Sequence, residues 1–394
     1  MVRLFRTAAI LVTLTGLTFA TRPYVHGLLF VVRAADMQGT VRQIADFDTT
    51  AIRERELSIP TPRGPLRARA YEPVGGAHRV SLLTSGLHAS GIDEPRLVRL
   101  ARQLSANGVT IVTPDIPELS RFEIAPQITD SIEHAGAWLA AESGLAPTGR
   151  VGLMGISFSG GLSIVAAGRP SLENRIAYVF AFGGHDDLTR VLRYLCTGQE
   201  PYPSGQLRLN DAPKDQPFTR PPHDYGVAVI LLGVADRVVP PPQVEALRAT
   251  VRQYLWASAL DGGVDKSKAE AEFEAVRAKV KTLPEPSKTL ARYAVERDVV
   301  HLGARLLPYV TASSSPALSV SKSPKPSVPV FLLHGLEDNV IPSIESEYLA
   351  EDLRGHAPVR LLLSGLISHA EADKPVHAGD VLQLAGFWGD LLSR

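Results

Sequence analysis

Apolar positions along this chain follow two rhythms, and the switches between them divide it into elements. Leu57 to Pro60 and Leu66 to Tyr71 alternate with period two on either side of Pro62-Arg63-Gly64-Pro65, which predicts an antiparallel hairpin. Arg79 to Thr84 reads as a strand, and Glu94 to Asn107 as a helix with Leu97, Leu100, Ala101 and Leu104 on one face and Gly108 as its stop. Val109 to Val112 is a further strand. Ile128, Ile132, Ala135 and Leu139 are the inner face of another helix, which leads through Gly149 into the apolar run from Val151. Ala177 to Phe182 is again a strand. Strands alternating with helices imply a mostly parallel, twisted sheet covered on both faces.

The alternation stops after Phe182-Gly183-Gly184-His185. Residues 186–327 are about 140 long, far beyond an ordinary connection, so they must form structure of their own. Leu188 to Leu195, Gln243 to Trp256 and Lys266 to Val280 read as helices, with Pro201 to Pro222 and Ser313 to Pro329 as loops. Beyond them a strand from Pro329, a helix with Ile344, Tyr348 and Leu353 inward, a strand Val359 to Leu363, and an amphipathic helix through Val381, Leu384, Ala385, Trp388 and Leu391 complete the pattern. The expected organisation is an α/β core over 35–185 and 328–394, with a large, mainly helical insertion over 186–327.

The first 34 residues differ in kind. Arg3 and Arg6 precede an apolar stretch from Thr7 to Ala20, with Thr18-Phe19-Ala20 at the spacing a signal peptidase reads, and a second apolar run covers Val25 to Val32. Neither run reaches the roughly 20 residues of a membrane span. Residues 1–34 are therefore expected to be a signal peptide or a retained membrane anchor. Either places the protein outside the cytoplasm, exported or held at the inner membrane, and the anchor adds membrane association through the N-terminus.

Composition narrows the class. With 394 residues, 45% hydrophobic and 21% charged, the chain can bury a large core. The 41 basic and 41 acidic residues balance, so no field attracts nucleic acid. The single cysteine, Cys196, excludes an intramolecular disulfide and reads as a small buried apolar residue. No glycine-rich phosphate loop or metal-ligand spacing is present, and no cofactor is expected.

Chemistry enters at Val151-Gly-Leu-Met-Gly155-Ile-Ser157-Phe158-Ser159-Gly160-Gly161. An apolar strand, a small-residue turn around Ser157 and a helix start are what a serine needs to project from a sharp bend, because bulk at the flanks would collide across it. The pattern is a variant of G-x-S-x-G in which Ser159 stands where glycine is usual. Two later stretches share a second pattern, apolar strand then G-x-x-D-x-x-V/I-P: Val227 to Pro240 with Asp236, and Pro329 to Pro342 with Asp338. Either could present a carboxylate from a strand end to a histidine.

Hairpin, strand, helix, strand, helix, strand, serine elbow and helix resemble the α/β-hydrolase superfamily, most closely its esterase and dienelactone-hydrolase-like branches, over about 54–185 and 328–394. The resemblance implies a nucleophile, Ser157, with acid and base following in the order Ser, Asp, His. It favours Asp338 over Asp236, because only Asp338 is followed by a helix, a strand and then His369. It implies an oxyanion hole after the strand ending at Thr84, where Ser85-Gly86-Leu87-His88 lies, with the N–H groups of Leu87 and Phe158 as donors. It also implies a lid at the insertion. The expectation is acyl transfer on a small-molecule ester, or on a related acyl bond such as a thioester, lactone or amide, through a covalent intermediate. A non-catalytic binding or scaffold protein on the same fold, tethered to the cell envelope, is the alternative. His185 is the rival base, and His334 reads as a shaper of its glycine turn.

Overall fold

The computed structural model describes residues 21–203, 217–262, 266–310, 315–367 and 378–394. Helix α1 covers 21–34 and α2 Thr40–Asp46. Strands β1 (Ile52–Ile59) and β2 (Leu66–Pro73) form the hairpin, paired antiparallel from Ile52 against Pro73 to Ile59 against Leu66. Then come β3 (Arg79–Thr84), α3 (Pro95–Ala106), β4 (Val109–Pro114), α4 (Pro117–Ser120), α5 (Gln127–Ala141), β5 (Val151–Ile156), α6 (Phe158–Ala167) and β6 (Ile176–Phe182). The insertion supplies α7 (Leu188–Thr197), β7 (Gln199–Glu200), β8 (Phe218–Thr219), α8 (Asp224–Val238), α9 (Val244–Asp261), α10 (Lys266–Thr282), α11 (Ser287–Val295) and α12 (Val299–Val310). The chain re-enters the sheet through β9 (Val330–Gly335), α13 (Ile344–Asp352), β10 (Val359–Ser364) and α14 (Ala378–Leu391).

Eight strands make one sheet in the order β1-β2-β4-β3-β5-β6-β9-β10. The pairs β1–β2 and β2–β4 are antiparallel and the rest are parallel. Successive side chains in a strand point to opposite faces, so each inner strand serves two cores. Leu82, Val112, Leu153, Val179 and Leu332 meet α5 and α6, while Leu83, Ile111, Met154, Phe180 and Phe331 meet α3 and α14. Burial on both faces explains why these strands read as near-continuous apolar runs. The expected helix face on α5, Ile128, Ile132, Ala135 and Leu139, is fully buried. This is the α/β-hydrolase architecture, with the insertion joining β6 to β9.

One expectation is corrected. The run Val227 to Leu232 is not a strand: it lies within α8, capped by the His223 ring, which accepts the Tyr225 N–H. All six residues are buried, and a helix sunk among α7, α9 and α12 is apolar all round, so its sequence lacks the periodicity that separates helix from strand. The β-branched Val227, Val229 and Ile230 favoured the wrong reading. The N-terminal segment is described from residue 21. Residues 21–34 belong to the folded body: Phe30 is fully buried with its ring 4.4 Å from that of Trp388, and the α1 backbone at Gly27 is so near α14 that a Cβ there would sit 1.8 Å from the Ala385 carbonyl oxygen. Among the described residues no helix is long and apolar enough to cross a membrane. Residues 1–20 lie outside the described residues.

Candidate functional site

Ser157 joins β5 to α6 with φ 55° and ψ −128°, a conformation that costs a side-chain-bearing residue on the order of 1–3 kcal/mol. The surroundings impose it. The Ser157 N–H donates to the Phe182 carbonyl at 2.6 Å, and a Cβ at Gly155 would lie 2.2 Å from the Ser159 carbonyl oxygen. Gly160 and Gly161 allow α6 to press on Gly184 and His185, where added Cβ atoms would come within 2.9 and 2.4 Å. The serine is thus held at the sheet's C-terminal edge, only partly covered.

The loop after β3 passes directly over it: a Cβ at Gly86 would be 3.2 Å from Ser157 Cβ and 3.8 Å from its Oγ. Among the described residues, neither the Leu87 N–H nor the Phe158 N–H has a hydrogen-bond acceptor. Two N–H groups without an acceptor therefore follow directly on Gly86 and Ser157, one in this loop and one in the first turn of α6, where the helix dipole adds positive potential. His88 in the same loop accepts the Ser90 N–H on Nδ1, and burial holds its pKa below the ordinary value against the pull of Glu94. Its visible role is to shape the loop.

Asp338 follows β9 and is buried, 5% exposed. Its Oδ1 accepts the N–H groups of Val340 and Ile341 at 2.9 and 3.1 Å. Its Oδ2 points toward Gly183, whose φ of 64° suits glycine: a Cβ there would be 3.4 Å from Asp338 Oδ2 and 4.0 Å from Ser157 Cα. One glycine thus separates acid and serine. His334, fully buried, braces the acid loop by donating from Nε2 to the Ile341 carbonyl while Nδ1 accepts from Ser346, in keeping with its sequence reading.

His369 lies outside the described residues. The chain leading to it is fixed as far as Ile367, whose carbonyl oxygen would be 2.4 Å from a Cβ on Gly335, beside the acid loop. Asp236 is elsewhere: it is on the last turn of α8, 57% exposed, and pairs with Arg248 at 2.9 Å. The helical conformation of Val227 to Val238 removes the strand end from which it was expected to reach a histidine. His185 is fully buried, stacked parallel to Phe158 at 5.0 Å with Nε2 on the Leu318 carbonyl, so it backs the elbow and does not face the serine.

Sequence reasoning missed several supports. Ser159, in the position of the usual glycine, donates its hydroxyl to the Ser85 carbonyl at 2.6 Å, a polar residue whose very presence in the elbow was a signal. Tyr225 on α8 donates to the Leu87 carbonyl at 2.7 Å, and nothing local announces it. Behind the site, Arg190 on α7 faces Glu345, Glu200 at 2.9 Å and Asp186 at 3.0 Å, with Tyr348 stacked 3.5 Å from the guanidinium. Burial and then the Glu345 charge raise both Glu200 and Asp186, the latter to about 7. Burial also opposes the Glu345 charge, but the Arg190 charge and hydrogen bonds from Glu200, Arg190 and the Asp186 N–H outweigh it and hold that carboxyl below its ordinary value.

No protein-family model matches this chain, and no curated protein matches it either. Solved structures similar to it include an esterase from Pyrobaculum calidifontis, 14% identical over 92% of this chain and 93% of the other, TM-score 0.42. A thermostable esterase from Pseudomonas putida is 12% identical over 93% and 89%, TM-score 0.44. An esterase from Pyrococcus furiosus is 10% identical over 79% and 82%, TM-score 0.41. It is the sheet order, the antiparallel first strands, the strained serine between β5 and α6 and the insertion between β6 and β9 that show this chain to have the α/β-hydrolase fold.

Proposed function

We propose that the chain is a serine hydrolase that cleaves carboxylic esters of small molecules through an acyl-enzyme, with Ser157 as nucleophile, His369 as base and Asp338 as the acid that orients it. The observation that carries this reading is the strained Ser157 with two unpaired N–H donors beside it and a buried carboxylate across Gly183. Fold alone does not define chemistry, so the site must.

His369 takes the hydroxyl proton as Ser157 Oγ bonds to the ester carbonyl carbon, and the carbonyl π pair moves to oxygen. The Leu87 and Phe158 N–H groups hold that oxyanion. Collapse re-forms the carbonyl and breaks the bond to the alkoxy oxygen, which leaves as the alcohol with the proton from His369. Water then attacks the acyl-enzyme by the same route, releasing the acid and restoring Ser157. Asp338 keeps the imidazole in the needed tautomer and stabilises its cation, while its Oδ1 stays on the Val340 and Ile341 N–H groups. The insertion serves as a lid that walls the acyl pocket from water.

A fluorophosphonate that labels the parent but not Ser157→Ala, with loss of ester hydrolysis on the order of a thousandfold or more, is the expected result. An unlabelled parent returns the chain to the binding-protein alternative. The basic and apolar start, Arg3 to Ala20, supports action outside the cytoplasm, with residue 21 onward in the folded body; fractionation of cells expressing the full chain tests it.

A further inference from the structure

We propose that Tyr225 and Ser159 are positioning residues for the oxyanion loop, so that the inserted helical segment, and not the sheet alone, sets the donor geometry over Ser157. The inference rests on the serine-hydrolase reading above. After Thr84 the loop leaves the sheet, and its backbone depends on other partners. Three carbonyls are held: Ser85 by the Ser159 hydroxyl at 2.6 Å, Leu87 by the Tyr225 hydroxyl at 2.7 Å, and His88 by the Gly91 N–H at 2.9 Å. The first hydrogen bond comes from the elbow and the third from within the loop. Only the second comes from the insertion.

The Leu87 N–H and C=O belong to adjoining peptide planes that pivot at its Cα. Gly86, lacking a Cβ, offers little steric resistance to rotation. Its backbone is wedged against Ser157, so fixing the far plane at the Leu87 carbonyl restricts the rotation that would turn the N–H away from the reacting oxygen. Tyr225 is a firm peg. It is in the first turn of α8, its N–H is capped by His223, and its ring stands edge-on to Phe122 at 5.7 Å. Burial pushes its phenol well above the ordinary range, which keeps it a donor.

The consequence is a link between α8 and turnover. A substrate group that displaces α8 loosens the donor after binding, and discrimination is then read in kcat more than in KM. A donor misplaced by about 1 Å costs on the order of a hundredfold, and the loss of a peg that only positions the donor falls at or below that.

The experiment uses the full chain and a short-chain p-nitrophenyl ester, with an aryl trifluoromethyl ketone whose hemiketal oxyanion takes the same place. Tyr225→Phe is expected to lower kcat about ten- to a hundredfold with KM within about twofold, to weaken the ketone by a similar factor, and to melt within a few degrees of the parent. Ser159→Ala, which loosens the same loop without touching α8, is expected to show the same signature and stands in if Tyr225→Phe does not fold. Unchanged kcat and ketone affinity in the folded variants overturns the inference, as does a rise confined to KM. A parent that neither turns over the ester nor takes a fluorophosphonate overturns the serine-hydrolase reading itself, a result distinct from the first two.

Discussion

Glu345 and Glu200 both touch Arg190, yet their replacement by glutamine is expected to have opposite consequences. Glu345 is fully buried, and its carboxylate accepts the Asp186 N–H at 2.6 Å, the Asp187 N–H at 3.1 Å and the Arg190 Nε. Three carboxyls face one guanidinium; if all were ionised, a net charge of about −2 would be buried, so the cluster retains protons. Glu345 stays ionised, while Glu200 and Asp186 are raised. Glu345→Gln removes the charge that balances Arg190 and turns donors toward donors. It is expected to cost about 3–5 kcal/mol at pH 7, the range for breaking a buried pair from one side. Glu200→Gln replaces a proton-bearing carboxyl by a neutral group of the same shape and is expected to cost under about 1 kcal/mol. The pH dependence carries a sign. Glu200 and Asp186 have folded values above their ordinary 4.5 and 3.8, so their contribution is full below about pH 4 and drains as pH rises, for Asp186 through about 7. Glu200→Gln should flatten part of that decline and leave the Asp186 part. Urea unfolding at pH 5, 7 and 8.5 measures all three proteins. Equal costs for the two glutamines at pH 7 would refute the charge assignment.

Other perturbations separate the site from its scaffold. Asp338→Asn is expected to keep the melting temperature within a few degrees and cut kcat by orders of magnitude, while Asp236→Asn, losing only an exposed pair with Arg248, keeps full turnover and changes stability by less than about 1 kcal/mol; the reverse pattern would place the acid on α8. Gly155→Ala forces a methyl onto the Ser159 carbonyl and is expected to destabilise by about 3 kcal/mol or more in a thermal or urea melt, with parent-like stability counting against the close packing of α6 on β5.

The sequence by itself determined the core elements, because buried strands and one-faced helices impose periods that survive without any partner in view. The hairpin, β3 through β6, the α5 face and the serine elbow were legible for that reason, and so was the apolar end of the chain at α14. Asp338 and Asp236 sat in the same local pattern, and chain order favoured Asp338, since only it is followed by a helix, a strand and then His369. Only tertiary structure shows that the two runs differ in conformation: sunk among α7, α9 and α12, Val227 to Leu232 had no solvent face to give α8 a period, whereas Val330 to Leu333 found parallel neighbours in β6 and β10. Likewise the apolar residues of α1 match a targeting segment in composition, and the contact of Phe30 with Trp388 on α14 is visible only in the tertiary structure. The hydrogen bond from Tyr225 to Leu87 joins residues 138 positions apart, and the Arg190 to Glu345 contact spans 155. Local pattern has no term for pairs that distant, so their partners were decided when the insertion closed on the sheet.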